Sequence, residues 1–318
     1  MTDSQTPPSF PKPDLGRIGL WTGSLDGVPG TKVRDVVQEI ESLGFGTLWY
    51  PETVGREPFV NASLILGATT KLKAATGIAS VAARTAMAMQ AGWKALSEVY
   101  PQRFVLGLGT SHGHMVTKLH KSTYDKPYSN MVDYLDTMDS VPYFAVAPTG
   151  PMYRVLAALG PKMLELTGEV ADGWLGTSFI PEAADQVIPH IRAGAERAGR
   201  SLADIDMQVN ATIEVGDDVE KLLDKYRPAA AFTLGAMGSA STNFYNAAYS
   251  RAGWADTAAE VQSLWVSGDK EAAVRAVPNE FLLSTYMIGT EKMVTERISA
   301  VHAAGINTLR LAPVGRTS

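Results

Sequence analysis

Leu43-Gly44-Phe45-Gly46-Thr47-Leu48 decides the fold, because the same grammar returns near the other end of the chain as Ala304-Gly305-Ile306-Asn307-Thr308-Leu309. In both, a glycine stands where a helix would close in the left-handed conformation, and a strand entry follows within three residues. Upstream of Gly44, apolar Val33, Val36, Val37, Ile40 and Leu43 recur at helical spacing. Working outward, short apolar strands and amphipathic helices alternate, the first units repeating about every 30 residues, the size of one βα unit.

The pattern predicts strands over 17–23, 47–52, 72–80, 103–109, 153–158, 173–176, 206–215 and 308–312. Helices are predicted over 33–43, from an N-cap at Asn61, and over 85–100, 161–171, 181–199 and 291–304. Eight strands alternating with helices predict a (β/α)8 TIM barrel. A doubly wound sheet would usually carry a Gly-x-Gly-x-x-Gly fingerprint after its first strand, and none is present. Segments 111–152 and 216–307 are too long for simple connections and are expected to be insertions after strands four and seven, roofing the face where barrels bind ligands. Residues 1–16, with Pro7, Pro8, Pro11 and Pro13, are expected to form a flexible arm ahead of one barrel domain over 17–318.

Composition narrows the chemistry. The 318 residues are 45% hydrophobic and 19% charged, enough to bury a large core, with no apolar run of membrane-spanning length. A net charge of -5 argues against nucleic acid as a partner. No cysteine is present, so thiolate catalysis, disulfides and Cys-ligated metals drop out and any redox chemistry must ride on a bound cofactor. The N-terminus lacks the basic and apolar regions of a secretory signal, so a cytoplasmic protein is expected.

Candidate site residues gather at predicted strand ends. Gly107 and Gly109 alternate at the end of strand four, where missing side chains would let a flat ring or a phosphate approach, or would merely ease packing at a barrel corner. Gly160-Pro161-Lys162 opens a helix whose first N–H groups could hold an anion, or could be only an efficient helix start. His112 and His114 follow strand four; an imidazole there could donate or accept a proton, or sit in a mobile loop. A metal on the His112-Gly113-His114 pair lacks a carboxylate cluster to complete it, so no metal is expected. Trp21, Trp49 and Trp174 lie at predicted strands and suit either a planar ligand or core packing.

Several blocks together resemble the luciferase-like monooxygenase superfamily and its coenzyme F-420-dependent branch. They are 44–52 (Gly-Phe-Gly-Thr-Leu-Trp-Tyr-Pro-Glu), 75–78 (Ala-Thr-Gly-Ile), 100–110, 156–166, 171–174, and 289–306. The stretch 232–281 shows the pattern least. The resemblance implies a deazaflavin coenzyme F-420, with FMN as the alternative, and hydride transfer to or from a small-molecule substrate. It implies a cis Gly77–Ile78 peptide, continuing into Ala79, behind the ring. It further implies Gly107, Gly109 and Thr110 along the ring and ribityl chain, and Leu159, Gly160, Pro161 and Lys162 near the phosphate. Glu52 is implied to face the ring edge; where the family often carries a glutamate acid this chain departs from it with His112, whose imidazole is the candidate to move a proton beside the ring. Relatives that pair through outer helices imply a homodimer, for which the helix over 33–43 offers an apolar face. A non-catalytic flavin-binding barrel is the reading from a different class.

Overall fold

The computed structural model describes residues 14–238 and 243–313. Its strands are β1 (Ile18–Trp21), β2 (Thr47–Tyr50), β3 (Lys73–Thr76), β4 (Ala79–Ser80), β5 (Phe104–Gly109), β6 (Tyr153–Ala157), β7 (Gly173–Gly176), β8 (Asp206–Ala211), β9 (Ile213–Val215), β10 (Met287–Gly289) and β11 (Thr308–Leu311). All but β9 and β10 join in one sheet of order β3-β2-β1-β11-β8-β7-β6-β5-β4, and a β3–β5 pairing closes it into a barrel. β3 and β4 share one barrel position, so eight positions close the ring. Every pairing is parallel; Trp21 lies beside Trp49, and Trp49 beside Ala75.

Gly44 and Gly305 have φ of +85° and +96°, the left-handed conformation that a helix exit favours in glycine. Around the barrel stand α1 (Gly30–Ser42), α2 (Pro58–Ala68), α3 (Ala86–Val99), α4 (Pro127–Ser140), α5 (Pro161–Val170) and α6 (Ile188–Arg197). After β9 come α7 (Val219–Ala236), α8 (Phe244–Tyr249), α9 (Ala255–Val266), α10 (Lys270–Arg275) and α11 (Asn279–Thr285), and α12 (Glu291–Ala303) leads into β11. Thus the long segment after the seventh barrel position is a helical insertion with its own core, built on Leu223, Leu234, Val261 and Phe281.

Period-two alternation sorts each strand into an outer and a luminal face. On β8, Met207, Val209 and Ala211 pack outward against α5, α6 and α12, as do Leu309 and Leu311 on β11. Asp206, Gln208 and Asn210, and Thr308 and Arg310, therefore point into the lumen. Trp49, Ala75, Val105, Val155 and Leu175 fill its middle. Trp49 thus packs the core, and Trp174 packs outside the barrel against Phe179.

Several boundaries differ from expectation. The second helix opens at Pro58, not Asn61: Glu57 caps it by accepting from the N–H groups of Phe59 and Val60, and Asn61 is buried inside it. Strand three breaks at a cis Gly77–Ile78 peptide. Strand seven breaks at Thr212, and its second piece leaves the barrel to pair with β10. The helix over 181–199 splits at Val187, whose ψ of -58° is paired with a φ of -126°. Of the expected arm, residues 1–13 lie outside the described residues, but Leu15 is buried and accepts from Thr47 Oγ1 at 2.7 Å, so the barrel base begins there. Most of the apolar face of α1 lies inside, with Val33, Val37 and Ile40 in the core, while Leu43 at its exit is exposed.

Candidate active site

At the C-terminal mouth of the barrel the chain builds a flat apolar floor. Ile78 packs with Trp21 and Ala157, and the Trp21 indole donates to the Gly77 carbonyl at 3.0 Å. Glu52 N–H donates to the Ile78 carbonyl at 3.1 Å, fixing the same turn from β2. Gly109 completes the floor: a Cβ there would lie 2.9 Å from Ile78 Cγ1, so only a glycine leaves Ile78 its place. Ala79 does not join this surface, because its methyl is buried in the outer core.

Gly107 serves the barrel itself. A Cβ at this position would meet the Thr76 carbonyl oxygen at 1.9 Å, and the Thr76 hydroxyl exchanges 2.8 Å hydrogen bonds with Gly107 N and O. Gly107 thus has a strand-seam role whatever lies in the lumen beside it. Gly160 differs, since nothing lies within 4 Å of a Cβ built there. It is the N-cap of α5, without a side-chain cap, and Pro161 follows at the first turn. The orphan N–H groups of that turn face outward beside Lys162, whose ammonium lies 6.0 Å from the Tyr128 ring centre.

Glu52 is fully engaged. Its Oε2 accepts from Ser80 N at 2.7 Å and Arg84 Nη1 at 3.0 Å, and its Oε1 pairs with Arg84 Nη2. Both side chains are largely buried. Tyr134 holds Arg84 in turn, donating to its carbonyl at 3.0 Å. Glu52 therefore ties the end of β2 to the turn after β4 rather than presenting a free carboxylate.

His112 forms one wall. Burial lowers its pKa below the ordinary value of 6.5, which favours neutral imidazole near pH 7. Its ring centre lies 5.7 Å from that of Tyr245, at 30°. The Tyr245 hydroxyl bonds the Thr177 side chain after β7, and burial raises its pKa. Thr110 Oγ1 lies 3.5 Å from the Tyr124 hydroxyl, which donates to the Ser111 carbonyl at 3.1 Å. His114 is exposed and stands apart. Among the described residues no group of three or more His, Cys, Asp or Glu could hold a metal, and no helix is long and apolar enough to cross a membrane.

A sequence profile for the family described as luciferase-like monooxygenase matches residues 16–308. The chain belongs to this family. It is 25% identical, over 92% of its length and 94% of the relative's, to a Mycobacterium tuberculosis protein whose name places it provisionally among coenzyme F-420-dependent oxidoreductases. It is also 25% identical to the 5,10-methylenetetrahydromethanopterin reductase of Methanolobus tindarius, over 65% of this chain and 68% of that one. Among solved structures, the coenzyme F-420-dependent tetrahydromethanopterin reductase of Methanopyrus kandleri superposes with a TM-score of 0.74 at 19% identity, covering 94% of each chain. An F-420-dependent secondary alcohol dehydrogenase superposes with a TM-score of 0.70 at 18% identity, covering 93% and 92%.

Within this luciferase-like enzyme, three residues at the mouth and one in the lumen carry no local sequence signature of the site. Tyr245 and Tyr249 sit four apart on α8, and each bonds the stretch after β7, Tyr249 through Ser178. Arg251 donates to the Leu159 carbonyl at 2.7 Å, bringing a cation from the insertion to the start of α5. Arg310 lies in the lumen and donates to the Gly176 carbonyl. Arg310 alone has a positional one, a charge between two leucines on a strand, at the inward position of a period-two pattern.

Proposed function

We propose that this luciferase-like enzyme transfers a hydride between coenzyme F-420 and a small organic substrate held over the barrel mouth. The observation that carries the reading is an apolar floor of Trp21, Ile78 and Ala157 around Gly109, with the half-buried His112 three residues further along the chain, stacked near Tyr245. A planar tricycle needs one shielded face and one open to substrate, and this geometry supplies the shield. The name of the Mycobacterium tuberculosis relative supports F-420.

The residues present fit such a coenzyme. Ile78 would back the ring, and Gly109 and Thr110 would border it. The orphan N–H groups at Gly160-Pro161-Lys162, with Lys162 and Arg251 nearby, would hold the phosphate; the space above Gly160 is open for it. When bound, the deazaflavin supplies the two-electron hydride chemistry. His112, neutral at pH 7, accepts a proton from a substrate hydroxyl at a ring nitrogen and returns it in the opposite direction. Tyr245 and Tyr124, held protonated by burial, act only as hydrogen-bond donors and close the site against water. Glu52 and Arg84 hold the floor in place.

Incubation with F-420 and a panel of small secondary alcohols, aldehydes and imines, followed at the deazaflavin absorbance, tests this. Bleaching or recovery of the chromophore with at least one substrate is expected. Oxygen consumption with reduced FMN and none with F-420 would overturn the reading in favour of a monooxygenase.

A further inference from the structure

Below the mouth, the lumen holds polar groups that a closed hydrocarbon core would not keep. Arg310 is 1% exposed and Gln208 is fully buried. Arg310 Nε, Trp49 Nε1 and both amide atoms of Gln208 have no hydrogen-bond partner among the described residues. Arg310 makes one directional contact, from Nη2 to the Gly176 carbonyl, and its guanidinium lies 5.7 Å from the Trp49 ring centre, so it reaches across the lumen. Burial pulls its pKa down to about 9, which leaves it charged at neutral pH, with Asp206 and Tyr245 as its electrostatic neighbours. Asp206 lies at the base of β8, where it accepts from Thr308, and Tyr245 lies at the roof. Asn210, the register partner of Arg310 on β8, points inward and is exposed, so the polar stripe of the lumen reaches solvent on that side. A buried cation with an idle donor is costly unless something satisfies it.

We propose that Arg310 is a polar anchor at one end of the site, its guanidinium taking an electron-rich oxygen edge of the bound ring, with Gln208 beneath it completing the hydrogen bonds directly or through a trapped water. The bound chemistry is an imide-type carbonyl edge, which carries partial negative charge and presents both acceptors and a donor; a cation and a carboxamide are matched to it. This rests on the coenzyme reading above and adds a polar anchor at the ring end, opposite the phosphate turn.

The test uses the full chain, with F-420 and its phosphate-free ring-and-ribityl fragment as probes, both followed by fluorescence. Arg310→Met keeps the bulk and removes charge and donors; it should weaken both probes by about tenfold or more. Arg310→Lys, which keeps the charge, should recover part of that loss, and circular dichroism should show both variants folded. Equal affinity in wild type and Arg310→Met would overturn the proposal, as would a loss matching the unfolded fraction. Should Arg310→Met not fold, the wild type still decides: the Arg310 Nε–H resonance in a nitrogen-15 spectrum, assigned by its absence in Arg310→Lys, must shift on saturation with either probe, and an unmoved resonance would overturn it. Failure of wild type to bind any probe would sink the coenzyme reading itself and this inference with it, an outcome distinct from binding that ignores Arg310.

Discussion

At the scale of single residues, His112 and the two glycines Gly107 and Gly160 carry the sharpest consequences. His112→Ala should leave coenzyme affinity unchanged and lower kcat by about 10²–10⁴-fold, the usual worth of a general acid or base. Because burial depresses the imidazole pKa below 6.5, turnover that needs the neutral ring should be full at pH 7 and fall only as pH drops below that value. The same sign holds for stability: protonation favours the unfolded chain, so this contribution is present above the unfolded pKa and is lost on acidification. A pH–rate profile whose acidic limb survives in His112→Ala would assign that limb to another group. The glycines separate cleanly. Gly107→Val should unfold the barrel, since even a Cβ would sit 1.9 Å from the Thr76 oxygen, whereas Gly160→Ala should melt like wild type and lose coenzyme affinity. Melting curves and fluorescence titrations on both variants check this; a folded Gly107→Val would contradict the seam role.

At the scale of elements, Glu52 joins β2 to the turn after β4 through Ser80 and Arg84. Removing one partner of a largely buried ion pair leaves the other uncompensated, so Glu52→Ala should cost about 3–5 kcal/mol in urea unfolding. A stable variant with reduced kcat would instead make Glu52 a direct participant. The barrel strands were legible because period-two and helical patterns, punctuated by Gly44 and Gly305, are local signals. What was not legible is long-range. Glu52 read as a free acid because its partner Arg84 lies 32 residues away, and the seam role of Gly107 was hidden because its constraint comes from Thr76 on a neighbouring strand. Tyr245 and Arg251 reach the mouth only through the fold of the insertion after β9. The Asn61 cap failed because Glu57 lies one turn earlier and supplies the acceptor.

At the scale of the whole molecule, the helices differ in what they leave outside. α1 buries most of its apolar stripe, but α2 keeps Val60 and Leu64 exposed, and Met87 at the start of α3 is exposed with them. A homodimer through α2 and α3 is therefore expected, and Val60→Asp with Leu64→Asp should yield a folded monomer by sedimentation velocity; a monomeric wild type at micromolar concentration would contradict it. The proposed seat of the deazaflavin is the floor made by Trp21, Ile78, Gly109 and Ala157. An equilibrium titration of the purified wild-type chain with F-420, followed by coenzyme fluorescence and repeated with FMN, tests it most directly. Saturable binding of F-420, with affinity higher than for FMN, is expected; no binding of F-420, or tighter binding of FMN, would rule out a deazaflavin seat here.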